Sequence, residues 1–158
     1  MTRHHRHPPL PSLRLGRTWR WSLYLTVALL TLTGAAWLML HFSHGEQDLP
    51  SPLEPWALRI HGAAAFASLY LAGTLLHGHM LRAWQLRRNR SAGLLAAATF
   101  ALLVITGYGL YYFGGAALRQ WTDWIHWLAG LALPIAIAWH VRRGRASARA
   151  LVRAARGS

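Results

Sequence analysis

Four long apolar stretches, separated by short polar segments, dominate the hydropathy pattern of the chain. They cover residues 21–40, 55–81, 91–113 and 121–141. Each is near or above the roughly 20 residues that an α-helix needs to cross a hydrocarbon core about 30 Å thick. Each is also too long and too weakly alternating to be a barrel strand. The pattern therefore predicts an all-α fold, an integral membrane four-helix bundle that occupies residues 20–143.

The segments outside this bundle are polar and basic. Residues 1–19 and 144–158 are predicted to be basic, flexible cytoplasmic tails. The first apolar stretch follows a basic segment, so a signal peptide is an alternative for it. Its apolar core is longer than a usual signal-peptide core, and no small-x-small cleavage site follows. We therefore interpret it as a retained transmembrane helix.

The charges are distributed unevenly along the chain. The net charge is +13, from 17 basic residues, all of them arginine, and 4 acids. Fifteen arginines lie in residues 3–20, 82–90 and 142–156, on one side of the predicted bundle. The acids lie on the other side, at Glu46, Asp48, Glu54 and Asp123. The positive-inside rule then places both termini in the cytoplasm, and the arginines act as topology and headgroup anchors rather than as a nucleic-acid surface.

An internal repeat relates the two halves of the chain. Residues 26–34 read TVALLTLTG and residues 99–107 read TFALLVITG, in the first and third predicted helices. The second helix opens with Ile-His and closes with His-Met-Leu-Arg, while the fourth opens with Ile-His and closes with His-Val-Arg-Arg. Agreement in both helices predicts that the bundle consists of two related helical hairpins.

Four histidines occupy matching depths in the second and fourth helices, which run in the same direction. His61 and His126 lie near the outer face, and His79 and His140 near the inner face. Two histidines on neighbouring helices can supply both axial ligands of one haem iron, and neutral imidazole costs far less in lipid than a charge. The pattern predicts two haem b groups stacked across the membrane, with these four histidines as iron ligands.

Helix geometry favours His79 over the nearby His77 as the inner ligand. His79 is 18 residues from His61, about five full turns, whereas His77 points about 160° away. His126 and His140 are only 14 residues apart, so the two spacings differ by about 6 Å of rise. Helix tilt, a kink at Pro134, or irregularity near Gly73 and Gly78 are the alternatives that explain this difference. His77 stays a reserve ligand.

Two glycines occupy equivalent positions of the repeat at the depth of the outer pair. Gly34 and Gly107 are predicted to give clearance to a flat macrocycle, with ordinary small-residue helix packing as the alternative. Three arginines flank the histidines and can bind haem propionates or anchor the interface: Arg59, Arg82 and Arg143.

The Ile-His…His-x-x-Arg helices and Thr-Gly helices resemble those of bacterial four-helix membrane cytochromes b, which include the cytochrome b subunits of hydrogenases and the gamma subunits of formate dehydrogenases. The two-plus-two histidine layout is also similar to that of cytochrome b in respiratory bc complexes. The resemblance implies a bacterial inner-membrane location and the same four axial histidines. In the hydrogenase and formate dehydrogenase subunits one ligand comes from the first helix, where this chain has only His41. His41 is therefore an alternative partner of His126.

These features predict an electron carrier rather than a stand-alone enzyme. The chain has no cysteine, which excludes disulfides, thiolate catalysis and iron–sulfur ligation, and it has no nucleotide-binding fingerprint or catalytic triad. We expect it to transfer electrons between quinone or quinol and a periplasmic or membrane redox partner protein. The alternative is a non-redox membrane protein, either a metal or proton transporter or a scaffold subunit.

Overall fold

The computed structural model describes residues 15–43, 49, 51–87 and 89–156. These residues form helices and turns and contain no strand. The elements in chain order are α1 (Arg17–Ser43), α2 (Glu54–Leu75), a π-helical turn (Leu76–Leu81), α3 (Arg82–Gln85), α4 (Arg90–Tyr112) and α5 (Ala116–Arg156). The all-α prediction is thus confirmed.

Local sequence explains where two of the helices begin. A proline occupies the first turn of α2 next to Glu54, where the fixed proline φ fits the helix and the acidic side chain favours the positive end of the helix dipole. Asn89 precedes α4 in the left-handed conformation, with φ 51°, which asparagine tolerates better than most residues. Gly115, with φ 87°, turns the chain between α4 and α5, where a side chain would be strained.

Two antiparallel hairpins make up the fold. Helix α1 packs on α2 and α4 packs on α5, while α1 also contacts α5. His41 near the end of α1 lies against Glu54 at the start of α2, and Thr33 lies against His61 further along, so α1 and α2 run in opposite directions. The hairpin prediction is consistent with these contacts.

Most large apolar side chains of the described helices face outward. Helix α1 has no buried residue, and side chains such as Leu25 and Ile135 are 67% and 71% exposed. The buried apolar residues are few and mostly small: Ala64, Leu71, Ala92, Ala129, Leu133 and Ala136. Such an exposed apolar surface suits a lipid environment, where small residues bring helices together.

Three helices are long and apolar enough to span a membrane by length and composition: α1, α4 and residues Ala116–Ala154 of α5. Residues 144–156, predicted as part of a flexible tail, continue α5 as helix. The first fourteen residues, which form most of the other predicted tail, lie outside the described residues.

Candidate metal centres

The outer histidine pair joins the two hairpins. His61 on α2 and His126 on α5 face each other with ring centroids 6.3 Å apart and ring planes at 69°. A metal–imidazole bond of about 2.0–2.1 Å, plus about 1.1 Å from nitrogen to ring centre, places the centroids of two opposed ligand rings about 6.3 Å apart. The centroid spacing is therefore compatible with two imidazoles on opposite sides of a single metal ion, and it is also within the range of about 4.5–7 Å for edge-to-face ring pairs.

A threonine on α1 lies within hydrogen-bond distance of one ring nitrogen of His61. The Thr33 hydroxyl donates its hydrogen to the Leu29 carbonyl oxygen at 2.7 Å, and its oxygen lies 3.0 Å from His61 Nδ1. A hydroxyl has only one hydrogen, so with that hydrogen on the Leu29 carbonyl the Thr33 oxygen accepts from Nδ1–H of His61. In that arrangement His61 Nε2 keeps its lone pair and is the ring nitrogen that could coordinate a metal.

The second hairpin repeats this arrangement. Thr106 on α4 donates to the Leu102 carbonyl at 2.7 Å, and its oxygen lies 2.9 Å from His126 Nδ1. By the same count of hydrogens, Thr106 accepts from Nδ1–H and leaves Nε2 of His126 for a metal. The two threonines occupy equivalent positions in the internal repeat, so each outer histidine is oriented by the helix packed against its own.

The repeat glycines lie directly against these rings. A Cβ atom on Gly34 would stand 3.4 Å from His61 Cε1, and one on Gly107 would stand 3.4 Å from His126 Cε1. Each Thr-Gly pair thus supplies a hydrogen-bond acceptor for the imidazole and room for its ring. The contact observed at these glycines is with the histidine ring, whereas the prediction concerned clearance for a macrocycle.

The inner pair has similar spacing on a different framework. His79 lies in the π-helical turn, and its ring centroid is 6.1 Å from that of His140 on α5, with planes at 84°. The Asn89 amide donates to the His140 carbonyl oxygen at 2.9 Å, and the same nitrogen lies 3.2 Å from His140 Nδ1. A Cβ atom on Gly93 would stand 3.5 Å from His140 Cε1.

Of the three arginines predicted to flank the histidines, two lie over tryptophan rings. Arg59 lies over the Trp56 ring at 5.0 Å, and Arg143 lies over the Trp139 ring at 5.2 Å. Arg82, at the start of α3, is exposed. These contacts fit interfacial anchoring as well as they fit a role beside the histidines.

Of the two reserve ligands, His41 contacts residues other than His126. His41 stacks on Trp37 with centroids 4.6 Å apart, and its Nδ1 lies 3.8 Å from Glu54 Oε2. His126 faces His61 instead. The side chain of His77 lies outside the described part of the structure.

Sequence reasoning missed the residues that orient the histidines. In the sequence, Thr33 and Thr106 were recognisable only as members of the repeat. A Thr-Gly pair that recurs in the helix preceding each Ile-His pair could have predicted a contact between the threonine and the histidine. Asn89 carries no comparable signal, because its role depends on the left-handed backbone that starts α4.

The described residues contain no group of three or more His, Cys, Asp or Glu side chains able to hold a metal ion together. Each centre therefore offers two protein ligands. No family model, curated protein or solved structure matches this chain.

Proposed function

We propose that this protein is a membrane b-type cytochrome in which His61 and His126 hold an outer haem and His79 and His140 an inner haem. The observation that carries the proposal is the doubled histidine pair, in which Nδ1 of each outer ring lies against a threonine hydroxyl and Nε2 is left for a metal. When bound, haem would supply four nitrogen ligands and a one-electron couple, and one histidine pair would supply the two remaining ligands of its iron.

The donor set argues against a metal transporter as the alternative. Structural zinc takes four protein ligands and catalytic zinc three, whereas each centre has two histidines and no larger metal-ligating group occurs among the described residues. A macrocycle that brings its own four nitrogens needs only the two ligands present. The glycines beside the rings keep helices α1 and α4 close to the imidazoles without crowding them.

The positions of the pairs suit electron transfer across a bilayer. His126 and His140 are separated by 14 residues of continuous helix, or about 21 Å of rise, within a hydrocarbon core of about 30 Å. One centre would thus lie in each half of the membrane. The chain would pass electrons between quinone or quinol and a periplasmic or membrane partner protein.

We also propose that α2 crosses the membrane, which raises the number of spans from three to four. Helix α2 has 22 residues, about 33 Å of helix, and packs antiparallel on α1, so we assign α2 and its π turn to the fourth crossing. By the positive-inside rule the arginine-rich ends support a topology with both termini in the cytoplasm, and the resemblance to bacterial cytochromes b supports a bacterial inner membrane. Four such spans would give the architecture of the four-helix cytochromes b that the sequence resembles.

Haem content of the purified full chain tests the function. We expect two haems per chain by pyridine haemochrome assay, with a Soret band and sharp α bands on reduction. His126→Ala and His140→Ala should each lose about one haem, because each leaves its partner ring without a second ligand. His41→Ala is the matched control and should keep both. A folded but colourless protein, or two full haems in either ligand variant, would refute the proposal.

A further inference from the structure

A groove of about 590 Å³ runs between α1 and α5. Its walls are apolar along most of its length, with Ala28 and Leu32 on α1 and Pro134, Ile137 and Ala138 on α5. The alanine and proline side chains are short and leave space between the two helices. The groove is open along its side, so it suits an elongated apolar chain that stays in contact with the surrounding lipid rather than an enclosed ligand.

The groove is separate from the histidine centres. Ala138 is two residues from His140 and therefore lies about 160° around the helix from it. Ala138 faces the groove beside α1, whereas His140 faces His79 and Asn89. An occupant of the groove would thus not compete for the histidines.

Two arginines line one end of the groove. Arg142 and Arg145 are both exposed and line it together with Tyr24, and neither guanidinium has a hydrogen-bond or ion-pair partner among the described residues. The neighbouring Arg143 differs, because it donates to Ser91 at 3.4 Å and lies over Trp139. The nearest acid along α5, Asp123, is 19 residues from Arg142, or about 28 Å of helix.

We propose that this groove binds an anionic phospholipid, with an acyl chain along the apolar walls and a phosphate at Arg142 and Arg145. Planar guanidinium groups bind phosphate oxygens in a bidentate manner, and basic pockets between membrane helices recognise acidic headgroups. A neutral quinone would fill the apolar part but would leave both arginines without a counter-charge. The site does not depend on the haem assignment and requires only that the helices lie in a membrane.

Native mass spectrometry of the detergent-purified full chain, titrated with cardiolipin or phosphatidylcholine, tests the site. We expect saturable binding of cardiolipin over phosphatidylcholine in the unaltered protein. The double variant Arg142→Gln/Arg145→Gln should bind cardiolipin about 30-fold more weakly. Each arginine near an acidic headgroup contributes about 1 kcal/mol of attraction, and the loss of two corresponds to that factor. The matched control, Arg149→Gln/Arg153→Gln, removes the same charge from α5 beyond the groove and should bind cardiolipin normally.

A second variant separates the groove from general surface charge. Ala138→Trp keeps both arginines but fills the apolar wall, and it should lose saturable cardiolipin binding while its thermal unfolding temperature without lipid stays near that of the unaltered protein. Equal weakening by the two arginine double variants would overturn the proposal in favour of nonspecific charge. If Ala138→Trp loses binding of an isoprenoid quinone in the same titration but still binds cardiolipin, the groove is a quinone site and the proposal is overturned. Haem content, measured in parallel, reports on the cytochrome assignment independently.

Discussion

The two histidine pairs differ in how closely they follow the internal repeat. At the outer pair, each ring is held by a Thr-Gly pair of its own hairpin, with nearly identical distances on the two sides. At the inner pair, His140 lies against Asn89 and Gly93, and His79 comes from a π-helical turn. The duplicated sequence thus defines one centre by symmetry, whereas the other depends on a local departure from it.

The departure has a simple geometric origin. His61 and His79 are four residues further apart than His126 and His140, which is about 6 Å of extra helix. A π turn places more residues in the same axial length because its hydrogen bonds span five residues rather than four. The turn at Leu76–Leu81 therefore absorbs part of the excess and still brings His79 opposite His140.

The largest expected effect concerns the π turn itself. His79→Ala should abolish the inner low-spin bis-histidine signal in low-temperature electron paramagnetic resonance, because the His79 ring is the one 6.1 Å from His140. His77→Ala, two residues away in the same turn, is the control and should keep both low-spin signals. If His77→Ala removes the inner signal and His79→Ala does not, the inner centre is built on the other histidine.

A smaller effect is expected at the repeat glycines of the outer centre. A Cβ atom at Gly107 would make ordinary contact with His126 at 3.4 Å, so Gly107→Ala should bind haem nearly normally. Gly107→Leu overfills the same space at a cost of about 1–3 kcal/mol, which predicts about 5- to 150-fold weaker haem retention at the outer centre. The measurement is haem loss to excess apomyoglobin, followed by absorbance.

The control for this substitution is Gly62→Leu. Gly62 lies beside His61 on α2, but nothing stands within 4 Å of a Cβ atom there, so the same side chain should be tolerated. Equal haem loss in Gly62→Leu and Gly107→Leu would mean that the glycines matter for helix packing in general and not for the histidine rings.

Much of this arrangement was accessible from the sequence. Apolar length predicted the helices, and the shared depth of His61 with His126 and of His79 with His140 predicted which rings approach each other. Irregularity near Gly78 was one of three explanations for the unequal spacings, and the π turn contains that glycine. These features follow from periodicity and length, both of which can be read directly from the sequence.

The orienting contacts were not predictable in the same way. The hydrogen bond between Thr33 and His61 depends on the rotation of α1 about its axis relative to α2. The apolar surfaces of the two helices would permit many different rotations. The contact of Asn89 with His140 joins residues 51 positions apart through a left-handed residue. Such contacts are set by packing angles and single backbone conformations, on which hydropathy gives no information.

The smallest expected effect separates the two centres by their hydrogen bonds. Thr106→Val keeps the shape of the side chain but removes the acceptor for His126 Nδ1–H. An acceptor there raises ligand basicity and favours oxidised iron. We therefore expect haem to remain bound and the outer midpoint potential to rise by about 40 mV, since a hydrogen bond of about 1 kcal/mol corresponds to that for a one-electron couple.

A second buried threonine, Thr122, serves as the control for the midpoint-potential measurement. Thr122 also donates to a backbone carbonyl four residues earlier, at 2.8 Å, but no hydrogen bond joins it to a histidine within the described residues. Thr122→Val should therefore leave both potentials unchanged in a spectroelectrochemical titration. In Thr106→Val only the outer component should move, because the inner His140 lies against Asn89 instead of a threonine. An equal shift of both components would show that the hydroxyl acts through the whole bundle and not through the ring it contacts.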